Sequence, residues 1–532
     1  MHTPLGVSTI FRFGRRHFPH SRVGEYDGEH IHWHDYRTIG DDAGKLANAF
    51  AAAGLEAGDR VGTFLWNSVV HLQIYLAVPS MGGVLHTLNC RLATEQVAYI
   101  INHANDRFIV VDERLAEQFK PVLPHISKVD TIIVTGPSAA ILDDPRVVTL
   151  DAFLAGHGSA YSWPETPEDQ GAGICYTSGT TGNPKGVVYS QKTTYLHAIA
   201  SRSVDSFGVH ERDVILMLPS MFHANAWGFP YSGWLSGADM VMPGPYLQVP
   251  HLATMIDDSR PTLTALVPTI LGDLLRYGAG VDLSCFRAIV CGGSAVPSSM
   301  IEQVRDQCGV PVIQGWGMTE TSPMCVLSHP PKDMAGKPEI DWRIKSGRPV
   351  PGIEVRIVDD DDQTLAEDGV AVGELQLRGA WVTGQYLAIE SDAFTADGWL
   401  RTGDVGLIDP QGYVQLTDRK KDVIKSGGEW ISSVDLEDAL LKHPSVEEVA
   451  VIAVPDERWQ ERPLAIVVCA PGCTPDITLL RAFLAAQVAK FWIPEYWFFT
   501  DAIMKTSVGK FDKKGLRKRL EAGDIMPEVA TL

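Results

Sequence analysis

Short apolar runs alternate with helix-like stretches from about residue 40 onward, and this alternation constrains the fold more than any other feature. Runs that are apolar throughout, rather than at every second position, are typical of parallel strands covered on both faces. The chain therefore predicts an α/β domain built of stacked layers. The predicted strands include "DRVGTFLW" (59–66), "GVLHTLN" (83–89), "RFIVVD" (107–112), "TIIVTG" (131–136), "LTALVP" (263–268) and "RAIVCGG" (287–293).

Helices are predicted between these strands. The alanine-rich stretch 41–54 should end at Gly54, and Asn67 is placed to cap the next helix. The run from 69 to 85 carries no Asp, Glu, Lys or Arg, but Pro79 and two glycines interrupt it. It is too short to cross a bilayer comfortably, so a buried helix is favoured over a membrane span.

The sequence pattern changes near residue 350. Alternating strands such as "IEVRIVD" (353–359) and "GELQLRG" (373–379) are separated by turn residues, and they predict a β-rich subdomain at about 345–417. Beyond it, a helix and a strand within 432–455 and a helix near 477–491 predict a smaller α+β domain.

A chain of 532 residues is too long for a single core. We therefore predict an α/β protein with a large layered N-terminal domain, 1–417, which contains the β-rich subdomain. A small α+β C-terminal domain, 418–532, follows it.

Charge and cysteine content exclude several protein classes. The net charge of −20 disfavours a large nucleic-acid interface, so no nucleic-acid partner is expected. The eight cysteines form no C-x-x-C pair and no zinc spacing, which indicates reduced thiols in a cytoplasmic protein. We expect neither a signal peptide nor a transmembrane segment.

One loop is rich in both glycine and hydroxyl groups: "TSGTTGNPKG" (177–186). Glycines let backbone N–H groups approach a ligand closely, and hydroxyls with a lysine suit the oxygens of a phosphate chain. The common nucleotide loop has its lysine directly after the second glycine, whereas Asn183 and Pro184 intervene here. By itself the stretch is equally compatible with a surface turn.

Further stretches carry side chains suited to nucleotide chemistry. Each is weak alone: a single histidine such as His223 is more often structural, and "RTGD" is more often an exposed turn. Their order and spacing together are not explained by chance. They are "PSMFHANAWG" (219–228), "VCGGSAVP" (290–297), "QGWGMTETSP" (314–323), "RTGD" (401–404), "DRKKDVIKSGGEWIS" (418–432) and "KTSVGK" (505–510).

The whole chain resembles the adenylate-forming superfamily of acyl-CoA synthetases, luciferases and peptide-synthetase adenylation domains. The stretch "YTSGTTGNPKG" is highly specific to that family. "KSGGEWISSVDLEDAL" and "MFHANAWG" are most similar to its bacterial fatty-acyl-CoA synthetase branch. The resemblance extends over roughly residues 10 to 520.

The resemblance implies a two-step reaction with ATP, Mg²⁺ and coenzyme A as cofactors. A carboxylate attacks the α-phosphate of ATP to form an acyl-adenylate and pyrophosphate, and the thiol of coenzyme A then displaces AMP. The first step brings an anion to a polyanion, so the site must neutralise charge in the transition state.

The resemblance also assigns roles by position. Glu320 is the implied Mg²⁺ ligand, assisted by Thr177 or Thr319, because hard cations prefer oxygen ligands. Trp316, where the family commonly has tyrosine, would lie against the adenine, and Asp404 would accept both ribose hydroxyls. The other implied nucleotide contacts are Ser178, Gly179, Thr180, Thr181, Gly182 and Lys185 at the phosphates, Gly293, Gln314 and Gly315 at the adenine, and Arg419 and Lys421 from the C-terminal domain.

Residues of the C-terminal domain are implied in both steps. Lys510 matches the family's catalytic lysine, although Met504 replaces the proline common before this motif. His223 of the large domain is included with the catalytic candidates. Asp418 falls at the family's hinge, so the domain is expected to be mobile. After rotation, "KSGGEW" would line the pantetheine tunnel through Lys425, Gly427, Gly428 and Trp430.

Trp227 occupies the position of a tryptophan that gates the acyl tunnel in the fatty-acyl branch. No lysine or arginine lies within 221–230 to pair with a second substrate charge, which disfavours dicarboxylates and amino acids. A medium- to long-chain fatty acid is the first expectation, and short-chain, thioether and aryl acids are alternatives. A carrier protein or an amine as acyl acceptor is a further alternative.

Two other functions on this scaffold are a non-catalytic nucleotide sensor and an oxygenase similar to luciferase. A sensor should lack Lys510 or Glu320, and both are present. The resemblance also implies a homodimer formed through the N-terminal domain. The aromatic and basic segment "FRFGRRHF" (11–18) could contribute to it, or could be a disordered arm.

Overall fold

The computed structural model describes residues 3–177, 183–426, 429–456, 458–474, 476–506 and 511–529. The helices are α1 (Val7–His17), α2 (Tyr36–Ala52), α3 (Val69–Ser80), α4 (Thr94–Ala104), α5 (Ala116–Phe119), α6 (Leu150–Leu154), α7 (Gln191–Ser201), α8 (Phe229–Ser236), α9 (Val249–Ser259), α10 (Pro268–Tyr277), α11 (Ser298–Cys308), α12 (Ile340–Arg343), α13 (Ser433–Leu441), α14 (Ile477–Ala485) and α15 (Lys513–Glu521).

The strands follow the same chain order. They are β1 (Arg22–Tyr26), β2 (Ile31–Asp35), β3 (Arg60–Phe64), β4 (Val84–Thr87), β5 (Phe108–Val111), β6 (Thr131–Val134), β7 (Val147–Thr149), β8 (Gly171–Thr177), β9 (Lys185–Ser190), β10 (Val214–Leu216), β11 (Asp239–Met242), β12 (Leu263–Leu266), β13 (Ala288–Gly292), β14 (Val312–Gly317), β15 (Met324–Leu327), β16 (Arg348–Pro349), β17 (Ile353–Val358), β18 (Gly373–Gly379), β19 (Leu400–Ile408), β20 (Val414–Arg419), β21 (Ile424–Ser426), β22 (Glu429–Ile431), β23 (Val446–Asp456), β24 (Gln460–Cys469), β25 (Tyr496–Phe499) and β26 (Glu528–Val529).

Two large, mainly parallel sheets form the body of the protein. One has the strand order β7-β6-β5-β3-β4-β8-β9, and the other β16-β15-β14-β13-β12-β10-β11-β1-β2. A single apolar cluster packs residues from both sheets and from the helices between them. The layered α/β architecture predicted from the alternating pattern is confirmed, because strands that are apolar throughout are buried on both faces.

Two smaller sheets follow. Strands β17 to β20 form an antiparallel sheet over the predicted β-rich region. The last sheet has the order β22-β21-β24-β25-β26, with β23 beside β24, and it has apolar clusters of its own. Strand pairing thus passes from one sheet to the next between Arg419 and Ile424. The domain division at 417/418 and the hinge at Asp418 remain predictions.

The uncharged run that begins at residue 69 is confirmed as a buried helix, α3, with Pro79 in its last turn. No helix among the described residues is long and apolar enough to cross a membrane.

The predicted capping role of Asn67 is wrong. Ser68 caps α3, because its side chain accepts a hydrogen bond from the His71 N–H. The Asn67 amide instead donates to the Met217 carbonyl at 2.7 Å, and its Oδ1 accepts from the Met221 N–H at 2.7 Å. Asn67 therefore ties the start of α3 to the segment that precedes Trp227.

Residues 11–17 of the segment "FRFGRRHF" lie in helix α1 and Phe18 is its C-cap, so the segment is not a disordered arm. Phe11 is fully buried, and its carbonyl accepts a hydrogen bond from the Trp234 indole N–H at 3.0 Å. A Cβ at Gly14 would lie 2.4 Å from the Trp234 ring, so only glycine lets α1 approach α8 this closely. Homodimerisation remains a prediction.

Two buried histidines predict that the protein loses stability in mild acid. Burial lowers the pKa of His71 to about 4 and that of His197 to about 3. In the unfolded chain these histidines take up protons near pH 6.5. The free energy of unfolding therefore has its full value above that pH and falls as the pH drops towards 4. Each histidine should lower the free energy of unfolding by about 1.4 kcal/mol per pH unit in that window.

Thermal unfolding measured between pH 7 and pH 5 checks this prediction. The unfolding temperature of the wild type should fall over that range, and the unfolding temperature of His71→Gln should fall less steeply. Equal slopes for the two proteins would contradict the assignment of this pH dependence to His71.

Candidate active site

The glycine-rich loop connects two antiparallel strands. β8 ends at Thr177, β9 begins at Lys185, and these two residues pair directly in the ladder. The hairpin therefore places a hydroxyl and an ammonium group on the two sides of its loop. The other predicted phosphate contacts, Ser178, Gly179, Thr180, Thr181 and Gly182, lie outside the described residues.

Glu320 is a buried carboxylate with 6% of its surface exposed. It lies in a 3-10 turn, Thr319–Thr321, and its Oε1 accepts a hydrogen bond from the Tyr386 hydroxyl at 2.7 Å. Burial raises the pKa of the Glu320 carboxyl, and the hydrogen bond from Tyr386 opposes that rise. No lysine or arginine of the described chain forms an ion pair with Glu320, so a bound cation would compensate its charge.

Trp316 and Asp404 are in contact although 88 residues separate them in sequence. The Trp316 indole N–H donates to Asp404 Oδ2 at 2.9 Å, and Arg419 Nε lies 3.3 Å from Asp404 Oδ1. Asp404 and Arg419 are neighbours because they pair in the β19–β20 ladder. The predicted ribose-binding carboxylate is thus oriented by two donors.

The predicted adenine contacts lie directly after β13, at Gly293, and within β14, at Gln314 and Gly315. The Gln314 side chain accepts from the Val296 N–H at 2.7 Å and donates to the Ile344 carbonyl at 2.9 Å. Gly293 has a φ of +86°, and β13 pairs with β14 up to Gly315. The Gln314 side chain therefore fixes the loop after β13, and the three predicted contacts remain predictions.

The backbone around Trp227 adopts a rarely occupied conformation. The φ values from Ala224 to Trp227 are 44°, 51°, 47° and 57°, which four successive residues with side chains seldom share. A Cβ at Gly292 would lie 3.3 Å from Trp227 Cη2, so the ring packs against the end of β13. His223 is half-buried and directly precedes this stretch.

A small polar cavity lies next to the Trp227 stretch, and sequence reasoning missed it. Its volume is about 10 Å³, which is room for one water molecule. His197 Nε2 accepts from the Met324 N–H at 3.3 Å, which leaves the proton on Nδ1. No described residue accepts that proton. The lining residues are Tyr189, Thr194, His197, Asn225, Gly228, Tyr231 and Ser322.

Tyr386 is a second residue that the motifs did not reveal. Its hydroxyl bonds to Glu320, and Lys185 Nζ lies 4.9 Å from the centroid of its ring. It lies in the long loop between β18 and β19, where a single tyrosine carries no recognisable signal. Tyr386 thus links the lysine of the glycine-rich hairpin to the predicted metal ligand.

The predicted contacts of the C-terminal domain are described in part. Strands β21 and β22 are antiparallel, with Lys425 opposite Trp430, and the Lys425 and Lys421 side chains are exposed. Gly427, Gly428 and Lys510 lie outside the described residues.

The described chain contains no cluster of three or more His, Cys, Asp or Glu residues that could hold a metal ion by itself. Mg²⁺ in nucleotide enzymes is bound by one or two carboxylates together with substrate phosphates. The buried carboxylate of Glu320 fits that pattern.

Family models agree with this geometry. The model for the AMP-binding enzyme matches residues 15–387, and the model for the AMP-binding enzyme C-terminal domain matches residues 435–510. The chain belongs to the AMP-binding enzyme family. The two matches contain the glycine-rich hairpin, Glu320 and the "KTSVGK" stretch.

Relatives that match nearly the whole length of this AMP-binding enzyme include two CoA ligases. It is 40% identical to the 3-methylmercaptopropionyl-CoA ligase of Ruegeria pomeroyi, covering 98% of both chains. It is also 40% identical to the long-chain-fatty-acid–CoA ligase of Thermus thermophilus, covering 95% of this chain and 93% of the relative. Among solved structures, ATP-bound MatB from Rhodopseudomonas palustris superposes with a TM-score of 0.84 at 25% identity, covering 97% of this chain and 99% of MatB.

Proposed function

We propose that this AMP-binding enzyme is an AMP-forming acid–CoA ligase. It joins a carboxylic acid to AMP, releasing pyrophosphate from ATP, and then transfers the acyl group to coenzyme A, releasing AMP. Both named relatives are CoA ligases, and they match nearly the whole chain.

One structural observation carries this proposal. A series of contacts joins Lys185 to Tyr386, and Tyr386 to Glu320. Four residues before Glu320, Trp316 contacts Asp404, which contacts Arg419. Groups suited to phosphate and metal thus form one series of contacts, groups suited to ribose form another, and the short segment 316–320 joins the two.

The assignment of individual residues is part of the proposal. Lys185 and the hairpin loop bind the β- and γ-phosphates, Trp316 lies against the adenine, and Asp404 accepts the ribose hydroxyls. Glu320, assisted by the Thr177 hydroxyl, would hold Mg²⁺, which when bound neutralises phosphate charge. Lys510 neutralises charge on the carboxylate and α-phosphate oxygens as they approach.

For the acid itself, we propose a medium- to long-chain fatty acid. The long-chain ligase of Thermus thermophilus is 40% identical. By the resemblance, Trp227 also occupies the position of the tunnel gate of the fatty-acyl branch. The stretch around Trp227 offers no lysine or arginine for a second carboxylate.

A short acid that carries an acceptor atom is the second candidate. The polar cavity beside Asn225 contains the unpartnered Nδ1–H of His197, and an alkyl chain has no acceptor for it. A thioether sulfur is a weak acceptor. The Ruegeria relative, named for a thioether acid, supports this candidate.

A panel of acids tests both candidates, with pyrophosphate release and loss of the free thiol of coenzyme A measured in parallel. Fatty-acid activity predicts a kcat/KM that rises from butanoate to decanoate and hexadecanoate. Thioether activity predicts that 3-methylmercaptopropionate exceeds pentanoate, which has the same length but a methylene in place of sulfur. His197→Leu should then abolish that difference. If none of the acids in the panel caused pyrophosphate release, the proposed function would be wrong.

Two other features rest on the resemblance. They are the homodimer and the rotation about Asp418; the cytoplasmic location is proposed from the cysteine pattern, and the division into domains 1–417 and 418–532 from the change in sequence pattern. Asp418 is buried, and its Oδ2 accepts from the Ser433 N–H at 2.8 Å, so its side chain contacts the first residue of α13.

A further inference from the structure

The loop between β18 and β19 is held against the glycine-rich hairpin by its backbone. The Leu387 N–H donates to the Gly186 carbonyl at 2.8 Å, and Tyr386 forms a β-bridge with Val187. Tyr386 therefore has a fixed position next to Lys185, the first residue of β9.

The same loop also holds the segment that carries Glu320. The Thr383 N–H donates to the Glu320 carbonyl at 2.8 Å, and the Tyr386 hydroxyl donates to Glu320 Oε1 at 2.7 Å. One loop thus fixes both the main chain and the carboxylate of Glu320. Tyr386 has 8% of its surface exposed, so water competes little for this hydrogen bond.

The ring of Tyr386 has a separate contact. Lys185 Nζ lies 4.9 Å from the ring centroid, within the range of a cation–π interaction. No carboxylate of the described chain forms an ion pair with Lys185, so the ring face is the contact that orients its ammonium group.

We propose that Tyr386 is a positioning residue for nucleotide and metal binding. Its hydroxyl fixes one oxygen of the Glu320 carboxylate and leaves Oε2 for the cation, and its ring orients Lys185 towards the phosphates. This inference rests on the proposed function. Residues that orient a metal ligand typically change metal affinity by about 10–100-fold when they are replaced.

Binding of Mn²⁺ tests the proposal without relying on turnover. Free Mn²⁺ is measured by electron paramagnetic resonance in the presence of a non-hydrolysable ATP analogue. Tyr386→Phe, which keeps the ring and removes the hydroxyl, should raise the Kd for Mn²⁺ about tenfold. In pyrophosphate exchange it should raise the half-saturating Mg²⁺ concentration similarly, with a smaller effect on kcat at saturating Mg²⁺.

A matched control and a double mutant separate positioning from a general structural role. Tyr413→Phe also removes a hydroxyl hydrogen bond, 2.6 Å to the His329 carbonyl, and should leave the Kd for Mn²⁺ unchanged. If Tyr386 acts through the carboxylate, adding Tyr386→Phe to Glu320→Gln should cause no further loss of Mn²⁺ affinity. Additive losses would assign Tyr386 a general structural role and overturn the proposal.

The ring contact has its own test. Tyr386→Leu should raise the KM for ATP at saturating Mg²⁺, whereas Tyr386→Phe should not. If the Kd of Tyr386→Phe for Mn²⁺ is within twofold of the wild-type Kd, the proposal is wrong. A wild-type enzyme that binds Mn²⁺ and nucleotide but activates no acid would instead contradict the proposed function.

Discussion

Replacement of Lys510 with alanine should slow acyl-adenylate formation by about 10²–10³-fold, as expected for the loss of one preorganised charge contact. The reason is that this step brings a carboxylate to the α-phosphate, and the resemblance assigns Lys510 to the oxygens of both. Thioester formation from ready-made acyl-adenylate and coenzyme A should stay close to the wild-type rate.

Gly428→Leu should have the opposite effect. By resemblance, the two glycines of "KSGGEW" line the channel for the narrow pantetheine arm, and a side chain at residue 428 would fill it. The variant should release pyrophosphate from ATP and acid but fail to transfer the acyl group. Gly428→Ala, with a smaller side chain, should show a partial loss of transfer.

Separate assays of the two half-reactions test this pair of variants. Lys518→Ala, which removes an exposed lysine of α15, is the control and should affect neither half-reaction. Equal loss of both half-reactions in Lys510→Ala and Gly428→Leu would mean that one arrangement of the domains serves both steps, and the proposed rotation about Asp418 would be wrong.

Glu320→Gln should lower the rate of adenylation by about 10²-fold or more, since a neutral amide binds Mg²⁺ far less well than a carboxylate. The fold should survive, because the glutamine oxygen can still accept the Tyr386 hydrogen bond now 2.7 Å long. Loss of a buried charge removes a desolvation cost, so the thermal unfolding temperature should not fall.

Pyrophosphate exchange measured against Mg²⁺ concentration checks the prediction for Glu320. The variant should need more Mg²⁺ for half-maximal exchange and should remain slow at saturation. Wild-type exchange by the variant at saturating Mg²⁺ would exclude Glu320 from metal binding.

Much of the fold follows from local sequence patterns. Runs such as "RFIVVD" and "TIIVTG" are apolar throughout because both faces of their strands are buried, and the structure forms β5 and β6 there. The alternating strands beyond residue 350 likewise form the antiparallel sheet β17–β20. Such patterns are visible because burial imposes a period on neighbouring residues.

In the candidate site, local sequence patterns reveal some residues but not the partners that they contact. Glu320 and Trp316 are predictable because they lie in one short motif, and Thr177 and Lys185 because they flank one loop. Their partners are not predictable from local pattern: Tyr386 is 66 residues from Glu320, and Asp404 is 88 residues from Trp316.

The sequence by itself determined the layered α/β class, the glycine-rich loop and the motif that carries Glu320. Only the tertiary structure decided that Asn67 anchors the segment before Trp227 rather than capping α3, across 150 residues. It also decided that His197 meets Met324, 127 residues away, and that Tyr386 meets Glu320. Side chains that form hydrogen bonds across such sequence distances produce no periodic pattern in the sequence, because packing brings them together only when the sheets and loops assemble.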